Sequence, residues 1–266
     1  MDLAARRDRL RDLHREGTFV IPNPFDRGSA RILASLGFEA LATTSAGLAN
    51  SRGLMDMGID RDVLLAHVAD LAPATDLPLH VDSERCFADD PAGVAETVRL
   101  LGEAGASGCS IEDWDPAADA ITPLPEAVAR VEAAVGAAAE NGMVLTARCE
   151  HHLHGLDDLD ATIERLVAYR DAGAEVVYAP GLFDAAQTAR IVAETGTAVN
   201  CILFPGGLSV AEMTEAGVRR VSLGSGLSSA AYGAVVQGAR HVIDHGVPDP
   251  DLPGLGHRDA QAAFSD

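Results

Sequence analysis

Three short acidic and basic groups hold the side chains that a hard cation and an anionic ligand require: Asp82-Ser83-Glu84, Glu112-Asp113 and Arg148-Cys149-Glu150. Each follows a short apolar or β-branched run. Leu79-His80-Val81 ends directly on Asp82 with Glu84 two residues on, and in extended geometry those two side chains point the same way. Converging carboxylates suit Mg²⁺, with Mn²⁺ as a substitute. Glu112-Asp113, delivered by the next run, could complete an oxygen-rich shell with waters and substrate oxygens. Zinc is disfavoured, because no His/Cys tetrad with zinc spacing occurs. The competing interpretation is that 40 of the 266 residues are acidic, so that some must follow strands by chance. Two adjacent strands carrying such pairs weaken it.

Arg148 follows Val144-Leu145-Thr146-Ala147. A guanidinium there could grip a carboxylate or phosphonate with two donors, or pair with Glu150 or Glu112; substrate contact is the preferred reading. Thr43-Thr44-Ser45-Ala46-Gly47 offers the small residues, hydroxyls and backbone donors of a flexible anion-cradling loop, and reads equally as an ordinary turn. His151-His152-Leu153-His154 does not follow the first strand, as the His-x-His pair of barrel hydrolases does, and reads as surface or supporting histidines. The single tryptophan, Trp114, reads as a core contact, with a lid anchor as the alternative.

Positioning these groups falls to a repeated pattern. Strands are predicted over 18–21, 40–44, 77–81, 108–111, 143–147, 175–178, 198–200 and 219–223. Helices are predicted over 27–36, 61–74, 92–104, 124–139, 159–172, 185–194, 210–216 and 228–245. Eight alternating units imply a parallel sheet closed into a single-domain (β/α)8 barrel, with an open doubly wound sheet as the competing topology. The chemistry-bearing residues sit at the strands' C-terminal ends, where such a barrel builds its site. Residues 1–246 form the barrel with an N-terminal amphipathic helix in this reading, and 247–266 a tail ordered only against a neighbour.

A hydrophobic content of 47% supports a large core. Forty acidic against twenty basic residues give a formal charge of −20, which argues against nucleic acid or an anionic membrane as partner. Every basic residue is arginine, so Schiff-base lysine chemistry and the usual covalent pyridoxal attachment are excluded. Cys86, Cys109, Cys149 and Cys201 show no CxxC spacing, and no run is long enough to span a bilayer. The expectation is a reduced, cytoplasmic protein.

Taken in order, these residues resemble the isocitrate lyase/phosphoenolpyruvate mutase superfamily. The resemblance rests on Asn23-Pro24-Phe25-Asp26, Ser45-Ala46-Gly47-Leu48, Gly53-Leu54-Met55-Asp56-Met57-Gly58, Asp82-Ser83-Glu84, Ser110-Ile111-Glu112-Asp113, Thr146-Ala147-Arg148 and Val199-Asn200. Its specificity comes from the ordered set. It implies a Mg²⁺-dependent enzyme that cleaves a C–C bond of a small 2-oxo or 2-hydroxy carboxylate through a metal-stabilised enolate. Alternatives are phosphoenolpyruvate/phosphonopyruvate mutase or phosphonopyruvate hydrolase chemistry, and a barrel that binds dicarboxylates without turnover. Asp82, Glu84 and Glu112 would be metal ligands, and Asp56 would hold metal-bound water. The Ser45-Ala46-Gly47 backbone and Arg148 would hold the substrate carboxylate and oxyanion, with Asn200 at the far wall. Arg148, Glu112 and Asp56 would be the catalytic residues. The resemblance also implies a homodimer or homotetramer that exchanges helix 228–245.

Two departures stand out. Glu84 occupies a position usually held by Asp. The Lys-Lys-Cys-Gly-His loop of the isocitrate and methylisocitrate lyases is replaced by residues 114–123, which also lack the lysine and asparagine expected of the mutase.

Overall fold

Short runs rich in Val, Ile, Leu and Ala, buried on both faces, form the parallel strands of a closed core. The computed structural model describes residues 1–265; Asp266, the end of the expected tail, lies outside the described residues. The strands are β1 (Phe19–Ile21), β2 (Leu41–Ala42), β3 (Leu79–Val81), β4 (Gly108–Glu112), β5 (Trp114–Asp115), β6 (Ala120–Ile121), β7 (Val144–Arg148), β8 (Val176–Tyr178), β9 (Ala198–Ile202) and β10 (Arg220–Ser222). Eight of them make one sheet in the order β1-β10-β9-β8-β7-β4-β3-β2, while β5 and β6 form a separate antiparallel hairpin. A bond from the Ala42 N–H to the Pro22 carbonyl, 3.0 Å, links the two ends of the sheet. The result is a (β/α)8 barrel.

The helices are α1 (Leu3–Leu13), α2 (Arg27–Ser35), α3 (Ser45–Ser51), α4 (Arg61–Leu71), α5 (Pro91–Glu103), α6 (Leu124–Asn141), α7 (Leu159–Asp171), α8 (Ala185–Thr195), α9 (Val210–Glu215), α10 (Gly226–His245) and α11 (His257–Phe264). Part of the acidic excess is spent on their starts. Asp2, Asp26, Asp60, Asp90, Asp158 and Asp184 each accept a backbone N–H of the first turn, satisfying a donor the helix cannot. Helix α1 sits at the opposite end from the acidic groups. Its Leu10 and Leu13 pack with Phe19, Val144 and Val176 near the strand starts, and its Arg7 donates to the Gly102 and Ala106 carbonyls.

Two segments differ from the sequence expectation. The Ser45-Ala46-Gly47 stretch, expected as a flexible loop, is the first turn of α3, capped by the Thr44 hydroxyl, which accepts from Gly47 N–H at 3.2 Å. Within 247–266, α11 packs on α2 of the same chain, burying Ala263, whose carbonyl accepts from Arg31 Nε at 3.0 Å.

Candidate active site

The acidic rim is built around one arginine. Arg148 ends β7 beside Glu112, the residue that ends β4 in the same register. Its guanidinium reaches Asp82 at 2.7 Å, Glu150 at 2.9 Å and Glu112 at 3.2 Å, and lies 5.4 Å from the Tyr178 ring centre. Of the two uses the sequence left open, ion pairing is the geometry found. Burial opposes the charge of Arg148, but Glu150, Glu112 and Asp82 more than offset this and keep it protonated. Burial conversely pushes Glu112 well above the usual carboxylate range, against the pull of Arg148.

Asp82 is the most connected of the carboxylates. It follows β3 and accepts from the Ser45 N–H at 3.2 Å, the Ser45 hydroxyl at 3.1 Å and the Ser110 hydroxyl at 3.3 Å, besides Arg148. The Ser45 hydroxyl also lies 3.3 Å from an Asp56 carboxylate oxygen, so the loop after α3 brings a second acid to the same point. All three line a cavity of about 250 Å³ at the C-terminal ends of the strands, together with Ala46, Arg148, Tyr178 and Asn200. The mouth is apolar, with Leu153, Phe183 and Phe204; the two phenyl rings stand 5.3 Å apart.

Glu84 and Glu112 are placed differently from expectation. The chain does not continue extended past Val81: Glu84 has φ +48°, and Cys86 and Phe87 are left-handed as well. A left-handed residue breaks the two-residue alternation, so Glu84 does not share the direction of Asp82. Neither Glu84 nor Glu112 lines the cavity that holds Asp82, and Glu112 instead faces a small void of about 10 Å³ with Arg130 and Tyr169. The expected set Asp82, Glu84 and Glu112 is therefore not a preformed shell. Among the described residues no three His, Cys, Asp or Glu side chains converge closely enough to hold a metal. Arg148 stands between Asp82 and Glu112 and pairs with both.

The remaining charge nonetheless fits a divalent cation. Glu84 is buried, its Oε1 has no hydrogen-bond partner, and its carboxyl is pushed up to about 8 by burial and by the nearby charges of Asp82 and Asp56. One guanidinium does not balance this many carboxylates. Asp82 and Asp56, joined through Ser45, are the pair open to the cavity.

Asp113 has a structural use. It accepts from the Glu150 N–H at 2.9 Å and the Tyr169 hydroxyl at 2.7 Å and pairs with Arg165 at 3.2 Å, tying the end of β4 to β7 and α7. The backbone cradle is narrower than expected: the Ser45 N–H goes to Asp82 and that of Gly47 to Thr44, leaving Ala46. Asn200 lines the same cavity. Its side-chain NH₂ donates to Ser222 at 3.1 Å, and its oxygen accepts from Arg220 at 2.8 Å. Trp114, at the start of the β5–β6 hairpin, stacks on His154, centroids 3.4 Å apart, pinning the replacement loop to the histidine turn. Cys86 and Cys149 are fully buried, and burial drives both thiols upward, Cys86 to about 12, so neither has thiolate character. Sequence reasoning missed Tyr178 and Arg220. For Arg220, a charge within the run Arg219-Arg220-Val221-Ser222 was the available signal.

Comparison with known proteins agrees with this architecture. The family model described as phosphoenolpyruvate phosphomutase matches residues 10–243. A crystal structure from Burkholderia cenocepacia J2315, provisionally assigned as a lyase/mutase, superposes with a TM-score of 0.94 at 47% identity, covering 99% of this chain and 97% of the other. The probable 2-methylisocitrate lyase 1 of Corynebacterium glutamicum is 29% identical over 90% of this chain and 81% of its own length. Oxaloacetate acetylhydrolase in complex with the product oxalate superposes with a TM-score of 0.87 at 26% identity, covering 98% and 94%.

Proposed function

This chain belongs to the phosphoenolpyruvate mutase/isocitrate lyase superfamily of lyases and phosphonomutases, and on that premise we propose that it is a Mg²⁺-dependent lyase breaking a C–C bond of a small 2-oxo or 2-hydroxy carboxylate. One observation carries the reading: a single hydroxyl, that of Ser45, lies within hydrogen-bond reach of both Asp56 and Asp82 on the wall of the barrel cavity. Asp82 and Asp56 would hold the cation, whose charge would draw the buried Glu84 and Glu112, both pushed above the usual carboxylate range, toward their ionised forms. A bound cation would supply Lewis-acid polarisation of a substrate oxygen. Arg148 presents its guanidinium to the same cavity and stabilises negative charge as it develops on the substrate. The Ala46 N–H and the Ser45 hydroxyl contact the substrate carboxylate at the rim. Asn200, its amide held in one orientation by Arg220 and Ser222, faces the departing fragment.

The chain acts as a homodimer or homotetramer in which α10 packs on a neighbouring barrel. The support is that α10 buries only Ser228 and leaves Val235, Val236, Val242 and Ile243 substantially exposed. Among the described residues no helix is long and apolar enough to cross a membrane.

Incubation of Mg²⁺-loaded protein with oxaloacetate, 2-methylisocitrate and phosphonopyruvate, following oxo-acid products and ³¹P signals, tests the reaction. Turnover of a C–C substrate with a silent ³¹P channel is the expected result. Turnover of phosphonopyruvate alone would move the assignment to C–P chemistry, and binding without turnover of any would make the barrel a carboxylate receptor.

A further inference from the structure

We propose that Tyr178 is the proton donor of the reaction, its phenol protonating the carbon from which the C–C bond has broken. The inference rests on the lyase reading above and supplies the acid that reading leaves unnamed.

Breaking a C–C bond leaves an electron pair on the carbon of the departing fragment, and that carbon must gain a proton. Few groups on the cavity wall can give one. No cysteine lines the cavity, and the chain has no lysine. His80 is buried and kept neutral, its Nε2 engaged with the Thr146 hydroxyl at 3.1 Å. The hydroxyls of Ser45 and Ser110 donate to Asp82, and that of Ser222 to the Cys201 carbonyl. Burial lowers Arg220 only to about 9, so it and Arg148 stay charged at neutral pH and hold oxyanions rather than exchange protons.

Tyr178 ends β8, is 7% exposed and lines the cavity. In register it stands between Arg148 on β7 and Asn200 on β9, beside the amide that faces the departing fragment. Its hydroxyl makes no hydrogen bond among the described residues, so the O–H is free for a ligand. Burial, with Glu150, Cys201 and Asp82 adding to it, keeps the phenol protonated against the pull of Arg148. An acid requires that ground state. The Arg148 guanidinium lies 5.4 Å from the ring centre, so the phenolate left by proton transfer forms beside a fixed positive charge.

For a 2-hydroxy acid, the hydroxyl gives its proton to water, and its O–H electrons become the new carbonyl bond. The C–C electrons pass to the departing fragment as an enolate. The Tyr178 O–H bond then breaks, its proton forms the fragment's new C–H bond, and water returns a proton to the phenolate. With a 2-oxo acid that loses carbon dioxide, the last two steps are the same.

The test compares Mg²⁺-loaded parent and Tyr178→Phe on oxaloacetate and 2-methylisocitrate, with the binding of oxalate, a planar enolate mimic, followed by calorimetry. The substitution removes the O–H and keeps the ring by Arg148, so the variant should melt no lower than the parent. Its kcat should fall at least about a hundredfold, the usual worth of a general acid, while KM and oxalate affinity stay within about threefold. If Tyr178→Phe does not fold, Tyr178→Leu serves for the same comparison. A variant kcat within about threefold of the parent's overturns the donor and leaves the lyase reading intact. A fall in kcat matched by an equal loss of oxalate affinity makes Tyr178 a residue that only positions Arg148, and also overturns it. A parent silent on both substrates overturns the lyase reading and the donor with it.

Discussion

Arg148 holds Asp82, Glu112 and Glu150 at once, so removing it leaves two buried acids and the half-buried Asp82 without their shared counter-charge. Arg148→Met should cost about 3–5 kcal/mol in urea unfolding, the usual penalty for stripping one partner from a buried ion cluster. Arg148→Lys should recover part of the stability but little activity, because an ammonium cannot reproduce the fork. Asp82→Ala should abolish Mg²⁺ binding in calorimetry without loss of helical signal; unchanged affinity would remove Asp82 from the cation site. Histidines held neutral in the fold contribute to the acid limit, among them half-buried His14 and buried His67. His14 and His67 are held neutral by burial, at about 3 and about 4, against 6.5 in the unfolded chain. The unfolded chain therefore binds more protons below pH 6.5, and stability falls as pH drops from 6.5 toward 4. His67→Gln should flatten that decline between pH 6.5 and 4, and an identical pH profile would show that His67 does not contribute.

Helix α3 shows how an element sets the site. Thr44 caps it, and the capped turn holds Ser45 against Asp82 and Asp56. Thr44→Ala should lose about 1 kcal/mol, the usual worth of an N-cap, together with a disproportionate fall in kcat as Ser45 loosens. Gly47→Ala is more severe: a Cβ there would meet Thr44 Cγ2 at 2.5 Å, Phe25 at 3.1 Å and Ser228 at 3.1 Å. The helix would have to shift away from α10, and both thermal stability and Mg²⁺ affinity should drop. The β5–β6 hairpin lies within residues 114–123, the segment that the family resemblance sets against the lyases' cysteine loop. Its stacking of Trp114 on His154 holds that replacement in place without bringing any thiol to the cavity.

At the scale of the molecule, the exposed apolar residues of α10 and the net charge of −20 make opposing demands. The charge keeps molecules apart, while Val235, Val236, Val242 and Ile243 need cover. Sedimentation at micromolar concentration should give a dimer or tetramer, and Ile243→Glu should shift it to monomer; a monomeric parent would rule the assembly out.

The sequence by itself determined the barrel and the height of the site. Apolar runs of three to five residues alternate with capped helices eight times over, a pattern that favours a closed barrel over the open doubly wound sheet. Asp82, Ser45, Arg148 and Asn200 were legible because strand ends point at one rim. Tertiary structure alone decided what each polar group faces. Left-handed geometry at Glu84 turned it from the direction of Asp82, Asp113 was drawn into a brace with Tyr169 and Arg165, and Arg148 was shared among three acids. Nor could the order of residues reveal that Arg220 is buried with no ion pair among the described residues, since charge balance in a buried space depends on neighbours that the chain brings together only by folding.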